Sequence, residues 1–175
     1  MADIAVTSKL VKGPAANNEV GRGWTHKVEV DYADFVANPS ATDGDTLTFS
    51  LFTIPAYAVV ESVGFRTVTA FDDSGGGSSL TVVVGDEDDA DGFTTSKQVH
   101  VDGTEVFIGA TDGAYWTGTD SGAATTANVI KGKTYTAAKT VKAVFTPSGY
   151  KLDECTQGKL VFWARILDTN ILVTN

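Results

Sequence analysis

The sequence predicts an all-β protein, an antiparallel β-sandwich of jelly-roll type with an extended N-terminal arm. Three observations predict it. Short runs of alternating apolar and polar residues recur about every ten residues. Turns rich in Gly and Asp separate them, and hardly any stretch holds a helical period. This is the pattern of packed antiparallel sheets, not of a parallel α/β fold. No internal repeat of fixed period is present, which argues against solenoids and propellers.

Residues 1–24 are punctuated by Gly13-Pro14-Ala15-Ala16-Asn17-Asn18 and Gly21-Arg22-Gly23 and form the expected arm; residues 25–175 form the expected sandwich. The first strand is His26 to Tyr32, with Val28, Val30 and Tyr32 on one side and Lys27, Glu29 and Asp31 on the other. One short helical turn fits around Ala33-Asp34-Phe35-Val36, before Pro39 stops it. From Asp45 a second strand alternates Leu47, Phe49, Leu51 and Thr53 with Thr46, Thr48, Ser50 and Phe52, and breaks at Ile54-Pro55-Ala56. A long strand follows from Val59 through Val68. Asp72-Asp73-Ser74-Gly75-Gly76-Gly77-Ser78 has the composition of a flexible loop. Ser79 to Val84 is the next strand, ended by Gly85 and an acidic loop. Further strands are expected at Lys97–Val101, Glu105–Ile108, Asn128–Ile130, Thr134–Thr136, Val141–Thr146 and Lys159–Leu167, with Asp102-Gly103 as a two-residue hairpin turn.

A domain of this length buries about 70% of the surface its unfolded chain would expose, so no staple is needed. The single cysteine, Cys155, has no intrachain partner, which suits a reducing cytoplasm. Met1-Ala2-Asp3-Ile4 does not open a secretory signal, so Sec export is not expected, and no apolar run is long enough to span a bilayer as a helix. With 13 basic against 22 acidic residues and a net charge of −9, direct nucleic-acid binding and membrane association are not expected, since phosphate neutralisation needs clustered Lys and Arg.

The acidic loop Asp86-Glu87-Asp88-Asp89-Ala90-Asp91 offers the oxygen ligands that calcium prefers. It fails the EF-hand pattern. With Gly92 at the glycine position the loop opens on Glu87, and its twelfth position is Gln98, which cannot chelate. A solvated hairpin loop is the simpler reading, with a non-EF calcium site as the alternative. Gly75-Gly76-Gly77 lacks the Lys-Ser or Lys-Thr of a phosphate loop. Cys155 has no nucleophile motif near it in sequence, and His26 and His100 lie in strand-like runs. No catalytic, cofactor-binding or metal-ligating residue is assigned, no cofactor is expected, and nothing selects a carboxylate pair for glycoside hydrolysis. The chain reads as a non-enzyme. Tyr115-Trp116, in a Gly/Thr-rich segment, is read as a packed loop lid, or else as an exposed contact. Trp163 falls in a late strand, and Trp24 at the junction of arm and domain.

The block from Asp45 to about Leu167 resembles small head proteins of tailed bacteriophages. The resemblance lies in Leu47–Ala56 leading into Val59–Val68, in Leu80–Asp86 continuing through Asp91-Gly92-Phe93, in a Tyr/Thr-rich middle, and in the closing strand Lys159–Arg165. It covers roughly two-thirds of the chain, as a pattern and not an invariant motif. It implies a jelly-roll decoration, or cement, protein: a homotrimer on the outer surface of the head, made in the host cytoplasm and clamping subunits of the major capsid protein. The arm would reach neighbours, and its deletion is expected to leave a folded domain while weakening attachment. The family transfers no catalytic residue. Two other readings stay open: a carbohydrate-binding module or fibre-tip domain using Tyr115, Trp116 and the acidic loop, and a head-completion or tail-tube protein.

Overall fold

The structure is a computed structural model that describes residues 3–6, 9, 11–12, 24–101, 113–117 and 133–169. Ten strands are described: β1 (Ile4–Ala5), β2 (Val11–Lys12), β3 (His26–Asp31), β4 (Leu47–Ile54), β5 (Ala58–Asp73), β6 (Ser79–Gly85), β7 (Thr94–Gln98), β8 (Lys133–Tyr135), β9 (Lys139–Ser148) and β10 (Cys155–Asp168). They build two five-stranded sheets, one in the order β1-β4-β9-β6-β7 and the other β2-β3-β10-β5-β8. Without the two arm strands, each sheet has four strands. From β3 to β6 the chain changes sheet at every step, and β9 and β10 insert between strands made earlier. That is jelly-roll connectivity. Pairing is antiparallel except for β1 on β4.

Alternation places the core as the sequence predicts, with two departures. Val28 and Val30 of β3 are buried, but Tyr32 is 41% exposed. The reason is local: Asp31 caps a short helix, α1 (Tyr32–Val36), accepting from the Ala33 N–H, while Asp34 reaches back to the Asp31 N–H. Tyr32 therefore leaves the strand before its turn to face inward. In β4 a register shift between Ser50 and Phe52 puts both Leu51 and Phe52 in the core and leaves Thr53 exposed, so the predicted phase reverses halfway along.

The core is aromatic. Phe35 of α1 is fully buried and closes one end of the sandwich, with ring centroids 4.9 Å from Phe71, 5.0 Å from Phe145 and 5.6 Å from Phe49. At the same end the two sheets meet. The Phe71 N–H donates to the Val99 carbonyl at 3.0 Å and the Val101 N–H to the Phe71 carbonyl at 2.9 Å, joining the end of β5 to the segment after β7.

Several boundaries differ from expectation. β7 occupies Thr94–Gln98 and not Lys97–Val101, β5 runs on into Asp72-Asp73, and β10 begins at Cys155. The strands expected at Glu105–Ile108 and Asn128–Ile130, and the Asp102-Gly103 turn, lie outside the described residues. Within the segment read as an arm, β1 pairs with β4 and β2 with β3, so both sheets carry an arm strand at one edge.

Candidate functional site

Two buried polar clusters are the places where chemistry could reside. The first is built on Asp86, the residue that follows β6. Its neighbours Glu87, Asp88, Ala90 and Asp91 are exposed, whereas Asp86 is only 4% exposed. Burying a carboxylate requires donors, and four are present. Oδ1 accepts from the Tyr115 hydroxyl at 2.7 Å and from the Asp88 and Asp89 N–H groups at 2.8 and 3.1 Å; Oδ2 accepts from the Tyr135 hydroxyl at 2.6 Å. Burial, and then the bond to Asp86, push the Tyr135 hydroxyl pKa strongly up, so it stays a donor.

This cluster ties three segments together. Tyr115 belongs to the single-turn helix α2 (Ala114–Thr117), whose Tyr115 N–H donates to the Gly92 carbonyl at 2.9 Å. The Tyr115 ring packs edge-on against Phe93 at 5.1 Å, and Lys133 Nζ sits 3.9 Å from its centroid. Tyr135 lies on β8. The rest of the acidic loop is also engaged: Asp88 pairs with Lys139 at 2.6 Å, and Glu87 accepts from the Thr140 N–H at 2.9 Å.

The loop therefore departs from the solvated hairpin expected of it, because its first carboxylate points inward. No three of its carboxylates converge on one point. Among the described residues, the group able to offer three ligand atoms to one ion is instead Asp72, Asp73 and His100, whose atoms lie within 4.8 Å of one another.

That second cluster stands at the corner where β5 meets the segment after β7. Asp73 is already committed: Oδ2 accepts from the Gly75 N–H at 2.7 Å, Oδ1 from the Gly77 N–H at 3.0 Å, and His100 Nε2 lies 3.4 Å from Oδ1. Burial alone would push the Asp73 carboxyl up; the N–H groups of Gly77 and Gly75, and then His100, outweigh it and hold its pKa below the ordinary 3.8. The Gly75-Gly76-Gly77 segment, which composition reads as a flexible loop, is thus fastened to Asp73. Its N–H groups at 75 and 77 turn inward to a side chain and are not offered to a phosphate.

Cys155 is buried, and burial, moderated by the neighbouring Tyr150, pushes its thiol up to about 12, which keeps it protonated and unreactive at neutral pH. His26 contacts Thr25 and Phe52. Tyr115 is buried, as the packed-lid reading expects, and nothing is described of the Trp116 side chain. Trp24 is 37% exposed. Trp163 is half-buried on the outer face of the β2-β3-β10-β5-β8 sheet, lying over Gly64, whose missing side chain makes room for the indole. Sequence reasoning missed Asp86 and Asp73 as structural carboxylates. The available signal was position, since each stands at the end of a strand beside a Gly-containing turn.

Fold and clusters together define an all-β jelly-roll protein whose buried carboxylates organise loops. No family model matches the sequence, and no curated protein is similar to it by sequence. Among solved structures, it is similar to a chain of the acidic stable capsid structure of Helicobacter pylori bacteriophage KHP30, with a TM-score of 0.43 and 18% identity over 81% of this chain and 87% of that one.

Proposed function

We propose that this chain is a structural virion protein without catalytic activity: a decoration protein that docks as a homotrimer on the outer surface of a tailed-phage head and braces neighbouring major capsid subunits. The observation that supports it best is how the interior polar groups are used. Asp86 and Asp73 accept hydrogen bonds from the segments they hold, which supports a holding role for both over that of a base or nucleophile. The architecture serves rigidity. Val36, Tyr57, Val68 and Leu167 are exposed apolar side chains on the surface. Tyr57, 62% exposed and at φ 58°, stands in the turn between β4 and β5, where its carbonyl accepts from the Thr169 N–H. Many weak copies acting together suffice for such a role.

The sugar-binding alternative relies on Tyr115, Trp116 and the acidic loop, and of these Tyr115 and Asp86 face each other inside the protein. The test is the native mass by light scattering, followed by co-sedimentation with heads stripped of surface proteins. A trimer that co-sediments is the expected result. A hexameric or dodecameric ring would move the protein to the neck or tail, and a species that never binds heads would overturn the proposal.

A further inference from the structure

Residues 3–6, 9, 11 and 12 occupy a seat shared by both sheets. β1 lies parallel to β4 with Ile4 opposite Phe49 and Ala5 opposite Ser50, and the Val6 N–H donates to the Ser50 carbonyl at 3.3 Å. Val6 itself is only 3% exposed and belongs to the core, with Ile4 packed against it. By Val11 the chain is on the other sheet, where Val11 and Lys12 pair antiparallel with Lys27 and His26 of β3. Ion pairs fix the two ends of this stretch: Asp3 to Lys142 at 2.6 Å, and Lys9 to Asp34 at 2.7 Å and to Asp31 at 3.6 Å. The sandwich is thus completed by an edge element that supplies one core side chain and closes the side where β3 and β4 would otherwise be open edges.

Connectivity does not decide which molecule supplies that element. A parallel strand cannot be joined to its partner by a tight turn, and residues 6–46 separate β1 from β4. The antiparallel pair β2–β3 is not a tight hairpin either, because residues 13–25 intervene. A segment of that length reaches at most roughly 45 Å when extended. Each arm strand contributes two residues of pairing, so leaving the seat breaks few contacts. Every contact is regained when an identical arm takes the seat, which makes exchange nearly neutral in contact energy.

We infer that the seat formed by β3 and β4 receives the β1 and β2 strands of a second copy, so that protomers associate by exchanging N-terminal arms. This rests on the association proposed above and gives it a structural basis. The Lys142, Asp31 and Asp34 side chains select the arm by charge, since it brings Asp3 to the first and Lys9 to the other two. Val6 completes a neighbour's core.

The test is the double variant Ala5→Cys/Ser50→Cys in the full-length protein. The two positions are register partners within the seat, and the buried Cys155 can stay. The protein is oxidised separately at low and high concentration and run on denaturing, non-reducing gels, with each single-cysteine variant as control. Exchange predicts covalent multimers absent from the controls, dominating at high concentration and giving way to internally linked monomer on dilution. Internally linked monomer at every concentration would overturn it, as would thiols that stay free, since the arm would then occupy no seat. Light scattering on the same samples separates the two readings: a non-covalent trimer with only internal disulfides removes exchange and leaves the decoration proposal intact.

Discussion

Asp86 shows how much one side chain holds in place. Replacing it with Ala leaves two tyrosine hydroxyls and two N–H groups without their acceptor. Hydrogen bonds to a charged group contribute about 1.5–3 kcal/mol each, so Asp86→Ala is expected to cost about 3–5 kcal/mol overall, and Tyr135→Phe about 2 kcal/mol. Thermal melts followed by circular dichroism check both. The same melts with calcium or EDTA are expected to coincide, because no three carboxylates of the acidic loop converge and Asp73 of the other cluster is already held by the Gly75 and Gly77 N–H groups and by His100. Asp73 carries a pH dependence. Its pKa is lower folded than unfolded, so as pH falls the unfolded chain takes up the proton first. Its stabilisation is fully present above the ordinary value of 3.8 and is lost as pH drops through the folded value. Asp73→Ala should therefore flatten the loss of stability in denaturant titrations between mildly acidic and strongly acidic pH. Neither role was legible from composition. A run of carboxylates reads as solvent-facing, and only the fold reveals that Tyr115 and Tyr135, 29 and 49 residues downstream, converge on the first of them.

At the scale of elements, α1 is short, but its one buried residue is central. Phe35→Ala empties a site between Phe49, Phe71 and Phe145 and is expected to cost about 3–5 kcal/mol. Gly158 is held at φ +137°, and a Cβ there would meet the Phe71 ring. Gly158→Ala should destabilise by about 3 kcal/mol, combining backbone strain with overpacking, and equilibrium unfolding in urea measures it. The long strands were legible because sustained alternation of apolar and polar residues is what a strand with one buried face demands and what a helix cannot use. Accordingly β3, β4, β5, β6, β9 and β10 lie where the pattern puts them. The helical turn was expected around Ala33-Asp34-Phe35-Val36 before Pro39, but its Asp31 cap was read as part of the strand. What escaped was phase and short pairing. The β4 register shift reverses inside and outside without a sequence mark, and the two-residue strands β1 and β2 are too brief for any period.

For the whole molecule, the arm changes what truncation means. Sequence suggests a domain indifferent to loss of its first residues, whereas Val6 lies in the core. Removing residues 1–12 is expected to cost about 2 kcal/mol from that burial alone, lowering the melting temperature by roughly 4–8 °C. A truncated protein with an unchanged midpoint would show that the arm adds nothing to the fold. The jelly roll itself follows from the number and spacing of strands, but its sheet assignment does not, because β9 and β10 each pair with strands far away in sequence.

That insertion has a consequence for biosynthesis. β10 lies between β3 and β5, and β9 between β4 and β6. While the ribosome is still making residues 139–168, the earlier strands have no central partner in either sheet, and the apolar faces of β3 through β6 stay uncovered. The protein cannot assemble its core piece by piece as it emerges. It must fold late and at once, through contacts of long sequence separation that form slowly, and during that interval the nascent chain is exposed to chaperones and to its own neighbours on the polysome.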